Sequence, residues 1–85
     1  MIINKQKILE SICYTPLVYG RINKKLNTNF SNQQIEAYIL KIFKETDTSF
    51  FTKSGKNYYV LNAKNNIRIT INSGTFRIIT VDRIK

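Results

Sequence analysis

The spacing of apolar residues along the chain changes near residue 48. Before this point they recur every three or four positions, which predicts amphipathic helices packed on a core. After it they alternate with polar residues, which predicts strands with one buried face. We therefore predict a single α+β domain, residues 1–85, in which three N-terminal helices (residues 1–48) precede a four-stranded antiparallel β-meander (residues 49–85).

The first helix is predicted from about Asn4 to Ser11 or Cys13. Ile8 and Ile12 lie four residues apart, which is the spacing of neighbours on one helix face. Cys13 follows this stripe. We expect it to be a buried small residue, because the chain has no histidine that would activate its thiol.

A second helix is predicted to begin at Thr15-Pro16 and to end near Asn27. Threonine is a good N-cap, and proline suits the first helical position because the missing N–H is not needed there. Gly20 weakens this helix by roughly 1 kcal/mol relative to alanine, so a short or bent helix is expected.

The third helix carries the strongest local signals. Ser31 and Gln34 have the spacing of a capping box, and Phe30 and Ile35 that of a hydrophobic staple. The apolar stripe that follows at helical spacing consists of Ile35, Tyr38, Ile39, Ile42 and Phe43.

Two hairpins are predicted in the second half of the chain. Ser54-Gly55 and Ser73-Gly74 each suit a two-residue turn between strands. The predicted strands are Phe50–Lys53, Asn57–Leu61, Ile67–Asn72 and Thr75–Val81.

The second hairpin defines two faces of the predicted sheet. A turn at Ser73-Gly74 places Thr70 opposite Arg77 and Ile69 opposite Ile78. The core face then carries Ile67, Ile69, Ile71, Phe76 and Ile78. The other face carries Arg68, Thr70, Asn72, Thr75, Arg77 and Ile79. This polar face is either a solvated surface or one that contacts phosphate through arginine, threonine and asparagine.

The first hairpin contains a second group of candidate residues. With Ser54-Gly55 as the turn, Lys53 lies opposite Lys56, and the two cations either splay into water or hold an anion. Only one of Tyr58 and Tyr59 can face the core in a regular strand. The other either packs at the rim or lies on the polar face, where it can stack on a base or act as an acid or base.

Composition excludes several classes of chemistry. The chain has no histidine and one cysteine, so histidine-dependent catalysis and a His/Cys zinc site are ruled out. We expect no cofactor and no metal. A lone cysteine fits a reducing cytoplasm, and residues 1–8 lack the apolar stretch of a signal peptide. The protein is therefore expected to be cytoplasmic and free of membrane contact.

The chain is strongly basic, with 14 Lys plus Arg, 5 Asp plus Glu and a net charge of +9. A field of this sign attracts nucleic acid or acidic proteins. Residues 51–85 hold seven basic side chains and one acidic, whereas residues 31–50 hold two and three. The charge therefore lies on the sheet and on the second helix, which contributes Arg21, Lys24 and Lys25. This argues against a winged helix that reads bases with its third helix.

Several segments resemble a small bacterial domain of unknown function, over nearly the whole chain. These segments are Tyr14-Thr15, Gly20–Leu26, Gly55–Val60, Arg68–Ser73 and Arg77–Val81. In layout and composition the chain is also loosely similar to ribonuclease toxins of the RelE and colicin type. That similarity implies RNA cleavage without histidine, with phosphate-holding or proton-moving roles for Lys53, Lys56, Tyr58 or Tyr59, Arg68, Arg77 and Thr80.

We therefore expect a small protein that binds nucleic acid, RNA or single strands in preference to duplex DNA, through the polar face of its sheet. The expected contact residues are Lys53, Lys56, Tyr58, Tyr59, Arg68, Thr70, Arg77, Arg21, Lys24 and Lys25. One alternative is a histidine-free endoribonuclease of toxin type. Another is a phage or mobile-element inhibitor that binds an acidic or nucleic-acid-binding host defence complex. Strand edges can also pair between chains, so a homodimer is a candidate assembly.

Overall fold

A computed structural model describes residues 3–84 of the chain. The elements are α1 (Lys5–Ser11), α2 (Pro16–Leu26), α3 (Asn32–Glu45), a 3₁₀ turn (Thr48–Phe50), β1 (Phe51–Ser54), β2 (Asn57–Asn62), β3 (Ile67–Asn72) and β4 (Ile78–Arg83). Antiparallel pairing in the order β1-β2-β3-β4 makes the second half a meander, which confirms the predicted α+β layout.

Local sequence determines where the helices begin and end. Ser31 and Gln34 form the predicted capping box at the start of α3. The Asn4 side chain accepts from the backbone N–H of Lys7 and caps α1. Thr15 is the N-cap residue of α2, as predicted, but its side chain makes no capping hydrogen bond. Asn27 ends α2 in the left-handed conformation, at φ 57°.

One hydrophobic core joins the three helices to one face of the sheet. Its members are the helical residues Ile8, Val18, Ile22, Leu26, Ile35, Ile39, Ile42 and Phe43 and the strand residues Phe51, Val60, Ile67, Ile69, Ile71, Ile78 and Val81. Burial of these side chains is the main favourable term in the folding free energy. None of the helices within residues 3–84 has the length and apolar character needed to cross a membrane.

The predicted register of β3 and β4 is wrong. The connection is not a two-residue turn, because the Asn72 side chain accepts from the N–H groups of Gly74 and Thr75 and Phe76 adopts a φ of 60°. β4 therefore starts at Ile78 rather than Thr75 and continues to Arg83.

A bulge adds to this difference. Ile71 pairs with Ile78 but Thr70 pairs with Thr80, so β4 carries one extra residue between them. Thr70 consequently lies opposite Thr80 and not opposite Arg77, and Val81 joins the core.

The turn of the first hairpin lies one residue later than predicted, so the partner of each β1 residue lies two residues later on β2 than predicted. Ser54 pairs with Asn57 and Lys53 pairs with Tyr58, so Lys53 and Lys56 do not oppose each other. The two central residues of the turn are Gly55 and Lys56. Gly55 has a φ of +61°, as in a type II′ turn with glycine at its first central position.

The expectation that Cys13 is buried is also wrong, since its side chain is exposed. The residue lies past the end of α1, and its backbone pairs with the start of β4. Its N–H donates to the carbonyl of Phe76 at 3.0 Å, and its carbonyl accepts from the N–H of Ile78 at 2.9 Å. Cys13 thus covers part of the β4 edge with its backbone.

Candidate functional site

The strand register places polar side chains on the sheet surface opposite the core. Side chains alternate between the two faces along each strand. The face that packs on the core, here called the inner face, is defined by one row of residues paired across the four strands, namely Phe51, Val60, Ile69 and Val81. We call the opposite surface the outer face. It carries Thr52, Tyr59, Leu61, Arg68, Thr70, Thr80 and Asp82.

Arg68 and Tyr59 form the most distinctive pair on the outer face. They are diagonal neighbours on β3 and β2, since Tyr59 pairs with Thr70 and Arg68 pairs with Leu61. The guanidinium carbon of Arg68 lies 5.8 Å from the centroid of the Tyr59 ring. This distance is within the range of a cation–π contact, worth about 0.5–1 kcal/mol at an exposed site. The contact holds a cation beside an aromatic surface.

A shallow depression of about 480 Å³ adjoins this pair. The 3₁₀ turn forms one wall, and Phe50, half of whose surface is exposed, projects there. The residues that line the depression are Ser49, Phe50, Thr52, Tyr59, Leu61 and Arg68. Its wall therefore combines two aromatic rings, an aliphatic side chain, hydroxyl groups and one cation. A planar ring with an anionic substituent fits this chemistry.

Two threonines on the outer face are less accessible than the sequence indicated. Thr70 was expected to contact nucleic acid, but it is 6% exposed, between its cross-strand neighbours Tyr59 and Thr80. The Thr80 hydroxyl is buried, and no partner for it lies among residues 3–84. These positions support the surface and do not present their hydroxyls on it.

Four of the predicted basic residues lie on α2 or beside β4, and contacts or a shared cleft place three of these at the edge of β4. The Arg21 Nη1 atom donates to the carbonyl of Ile79 at 3.1 Å, and the Lys25 Nζ atom lies 3.2 Å from an Asp82 carboxylate oxygen. Lys24, beside Lys25 on α2, is exposed. The fourth is Arg77, which precedes β4 and lines a cleft of about 230 Å³ together with Arg21.

The remaining three predicted residues lie elsewhere. Tyr58 is the tyrosine that faces the core side, where its ring packs 6.2 Å from that of Phe76. Lys53 shares that side of the sheet on the outermost strand and is exposed. Lys56 lies in the hairpin turn. The structure thus separates the ten residues into an outer-face group, an edge group and a hairpin group.

A second cluster of titratable groups lies between α2 and α3. The rings of Tyr14 and Tyr19 stack with centroids 5.4 Å apart, and the Tyr19 hydroxyl donates to a Glu36 carboxylate oxygen at 2.6 Å. This hydrogen bond raises the pKa of Tyr19 to about 12. Burial raises the pKa of Tyr14 further above its ordinary value, and its hydroxyl is buried without a partner in the described chain.

The outer face also contains residues that the sequence analysis did not single out. Leu61 has the same strand parity as Tyr59, so alternation alone could have placed it there. Asp82 was predicted to lie beyond the last strand, and only the observed register brings it opposite Arg68. Phe50 was assigned to a strand, whereas it belongs to the 3₁₀ turn and lines the depression. Within residues 3–84, no group of three or more Asp, Glu or Cys side chains lies close enough together to hold a metal ion.

Comparison with known proteins agrees with the family resemblance found in the sequence. No curated protein and no solved structure matches the chain. The family model described as "Protein of unknown function (DUF3781)" matches residues 6–82. The looser similarity to ribonuclease toxins stays a prediction. Because the family match covers nearly all of the helices and strands described above, the chain belongs to the DUF3781 family of unknown function.

Proposed function

We propose that this protein binds single-stranded nucleic acid, preferably RNA, through the outer face of its sheet. The observation that carries the proposal is Arg68, whose guanidinium is held over the Tyr59 ring beside the exposed Phe50. Proteins that bind single strands combine aromatic rings, on which bases stack, with cations that contact the backbone. The net charge of +9 adds a long-range attraction for any polyanion.

Unpaired bases suit this surface better than a duplex does. The faces of bases in a duplex are covered by their neighbours in the stack, whereas an unpaired base offers both faces to an aromatic ring. A duplex reader would need a helix or ribbon that presents basic and amide groups to a groove. The longest helix of the described chain, α3, exposes Glu36 and Glu45 together with Lys41 and Lys44, so its surface carries no net positive charge.

Binding is favoured over RNA cleavage by the positions of the polar residues. The similarity to ribonuclease toxins would require several of them at one phosphate. Arg68 lies on the outer face, Arg77 lies before β4 and Lys56 lies in the first hairpin turn. Thr80 has its hydroxyl buried. The residues that would act together are therefore on separate parts of the surface.

The proposal is tested with a labelled 12-nucleotide uridine oligomer, U12, and a duplex of equal length, by fluorescence anisotropy at about 50 mM salt. We expect U12 to bind more tightly than the duplex. Tyr59→Leu should weaken U12 binding by at least about fivefold, since loss of one stacked base costs about 1–3 kcal/mol. Arg68→Ala should weaken it as well. Lys41→Ala removes an exposed charge on α3 and serves as the matched control.

Two results would contradict the proposal. One is undetectable binding of both RNA and DNA at this low salt concentration. The other is an equal loss of affinity in Arg68→Ala and Lys41→Ala, because binding would then depend on total charge and not on the outer face. Incubation with total RNA tests the endoribonuclease alternative. Cleavage that Arg77→Ala reduces would favour turnover over binding.

A further inference from the structure

We propose that the phosphates of a bound strand follow the edge of β4, while its bases lie over the outer face. The edge track, as we call it, consists of Arg77, Arg21 and Lys25. This inference rests on the proposed function and assigns separate roles to two groups of residues. The edge track contacts the backbone, and Tyr59 with Arg68 contacts the bases.

Two cations of the edge track come from one face of α2. Arg21 and Lys25 are four residues apart and therefore neighbours on that helix. The Arg21 guanidinium is 3.1 Å from the carbonyl of Ile79, and the Lys25 ammonium is 3.2 Å from Asp82. Asp82 belongs to the outer face, whereas α2 packs on the inner face with its buried residues. The Lys25 side chain must therefore reach around the β4 edge.

Arg77 extends the track to the start of β4. It shares a cleft with Arg21, and Leu17 and Ile79 contribute apolar surface to the same cleft. The side chains that line this cleft include no carboxylate. Arg77 directly precedes β4 and is five positions before Asp82, the partner of Lys25, which corresponds to a track on the order of 15 Å long. This length accommodates several consecutive phosphates.

The outer-face pair lies within reach of the track. β4 is separated from β2 by two strand spacings, or roughly 10 Å. A nucleotide whose phosphate lies at the β4 edge can therefore extend its base across the sheet to the ring of Tyr59. Arg68, on the intervening strand β3, lies between the two regions.

The ion pair between Lys25 and Asp82 does not prevent phosphate binding. The Lys25 side chain is 52% exposed and the Asp82 side chain 25% exposed. Solvent-exposed ion pairs contribute little to stability, because water and salt screen the attraction. A phosphate can thus replace the carboxylate as the partner of the ammonium.

The test is the salt dependence of U12 affinity between about 50 and 200 mM salt for the intact chain. Loss of one phosphate contact lowers the slope of log affinity against log salt by about 0.7 for single strands. Affinity should therefore fall less steeply with salt in Lys25→Ala and in Arg21→Ala. Across this fourfold salt range, the factor by which affinity falls should be about 2.6 times smaller in each variant than in the wild type. Tyr59→Leu should weaken binding at every salt concentration and keep the wild-type slope. Lys41→Ala, with the same change in charge on α3, should also keep it.

Two outcomes would overturn the edge track while the proposed function stands. The first is an equal change of slope in Lys25→Ala and Lys41→Ala when Tyr59→Leu still weakens binding. The second is that labelled polyglutamate binds the protein, that Lys25→Ala weakens this binding as much as it weakens U12 binding, and that U12 does not displace the polyglutamate. The track would then serve an acidic protein. If the wild type does not bind U12, both proposals fail. Arg21→Ala removes a bond to the β4 backbone, so Lys25→Ala decides the result if thermal melts show that the Arg21 variant is unfolded.

Discussion

Arg68 and Asp82 are direct cross-strand partners on the outer face, yet they form no ion pair with each other. The Asp82 carboxylate pairs with Lys25 at 3.2 Å, and the Arg68 guanidinium lies over the Tyr59 ring instead. Within residues 3–84, the guanidinium of Arg68 has no carboxylate partner. A basic side chain without a carboxylate partner on an aromatic surface is available to an anionic ligand.

The first prediction concerns Asp82→Asn. The substitution removes the negative charge that lies between Arg68 and the edge track, so U12 affinity should rise. Removal of a like charge about 5–6 Å from a phosphate in water corresponds to roughly a threefold gain in affinity. Anisotropy titrations of U12 measure it. The control is Glu10→Gln, which makes the same change in net charge on α1 and leaves the charges of the outer face and the edge track unchanged. If Asp82→Asn binds U12 no more tightly than the wild type does, the region around Arg68 does not contact the ligand.

The helical half of the fold was predictable because its signals are local. The capping box of Ser31 and Gln34 lies within four residues of sequence, and the α3 stripe repeats at a fixed interval. The left-handed stop at Asn27 is equally local. Burial of Ile35, Ile39, Ile42 and Phe43 followed directly from that stripe.

The second hairpin was less predictable because its register depends on non-local geometry. Ser73-Gly74 is a good turn sequence, but the Asn72 side chain widens the loop and Phe76 takes a positive φ. Positive φ is uncommon for an aromatic residue and has no clear sequence signature. The bulge then shifts the pairing once more. A register error moves side chains to the wrong neighbours, which is why Arg77 was placed on the outer face.

The candidate site was predictable in part for the same reasons. Alternation along β2 and β3 placed one tyrosine and Arg68 on the polar face, and the structure identifies that tyrosine as Tyr59. Which chain segments adjoin that face was not predictable from strand parity. Phe50 reaches the depression through a 3₁₀ turn, and Lys25 reaches the edge from another element.

The second prediction compares two tyrosines of one stacked pair. Tyr14→Phe removes a buried hydroxyl that has no partner among residues 3–84, so the free energy of unfolding should rise by about 1 kcal/mol. Tyr19→Phe removes the hydrogen bond to Glu36, so it should lower the free energy of unfolding by up to about 1 kcal/mol. Urea unfolding of both variants measures the difference. If Tyr14→Phe is the more destabilising of the two, the Tyr14 hydroxyl has a partner in solution.

The third prediction is a loss of stability in alkali that depends on Tyr19. Its pKa rises from 10.0 to about 12 on folding, mainly because the hydroxyl donates to Glu36. The unfolded chain therefore releases this proton first. The contribution of Tyr19 to stability is complete below pH 10 and is lost as the pH rises from 10 through about 12. Urea unfolding at a series of pH values should show a steeper decline for the wild type than for Tyr19→Phe.

Glu36→Ala provides an independent check on that prediction. Without the carboxylate, the pKa of Tyr19 should fall back toward its ordinary value, and the alkaline decline should become as shallow as in Tyr19→Phe. Glu10→Ala, on α1, is the control for a general change in charge. Equal behaviour of the two glutamate variants would contradict the assigned cause.

The fourth prediction uses two glycines at which an added methyl group meets open space. Nothing lies within 4 Å of a Cβ built on Gly20 or Gly55, so steric contact is not a factor at either position. Gly20 lies inside α2, where alanine restricts the unfolded chain and should stabilise the protein by about 0.5–1 kcal/mol. Gly55 has a φ of +61°, which alanine adopts with strain, so Gly55→Ala should destabilise by about 1 kcal/mol or more. Thermal or urea unfolding of the two variants should thus shift in opposite directions. A loss of stability in Gly20→Ala would mean that α2 needs a glycine for a bend or a close contact, and an unchanged Gly55→Ala would mean that the turn can relax to a negative φ.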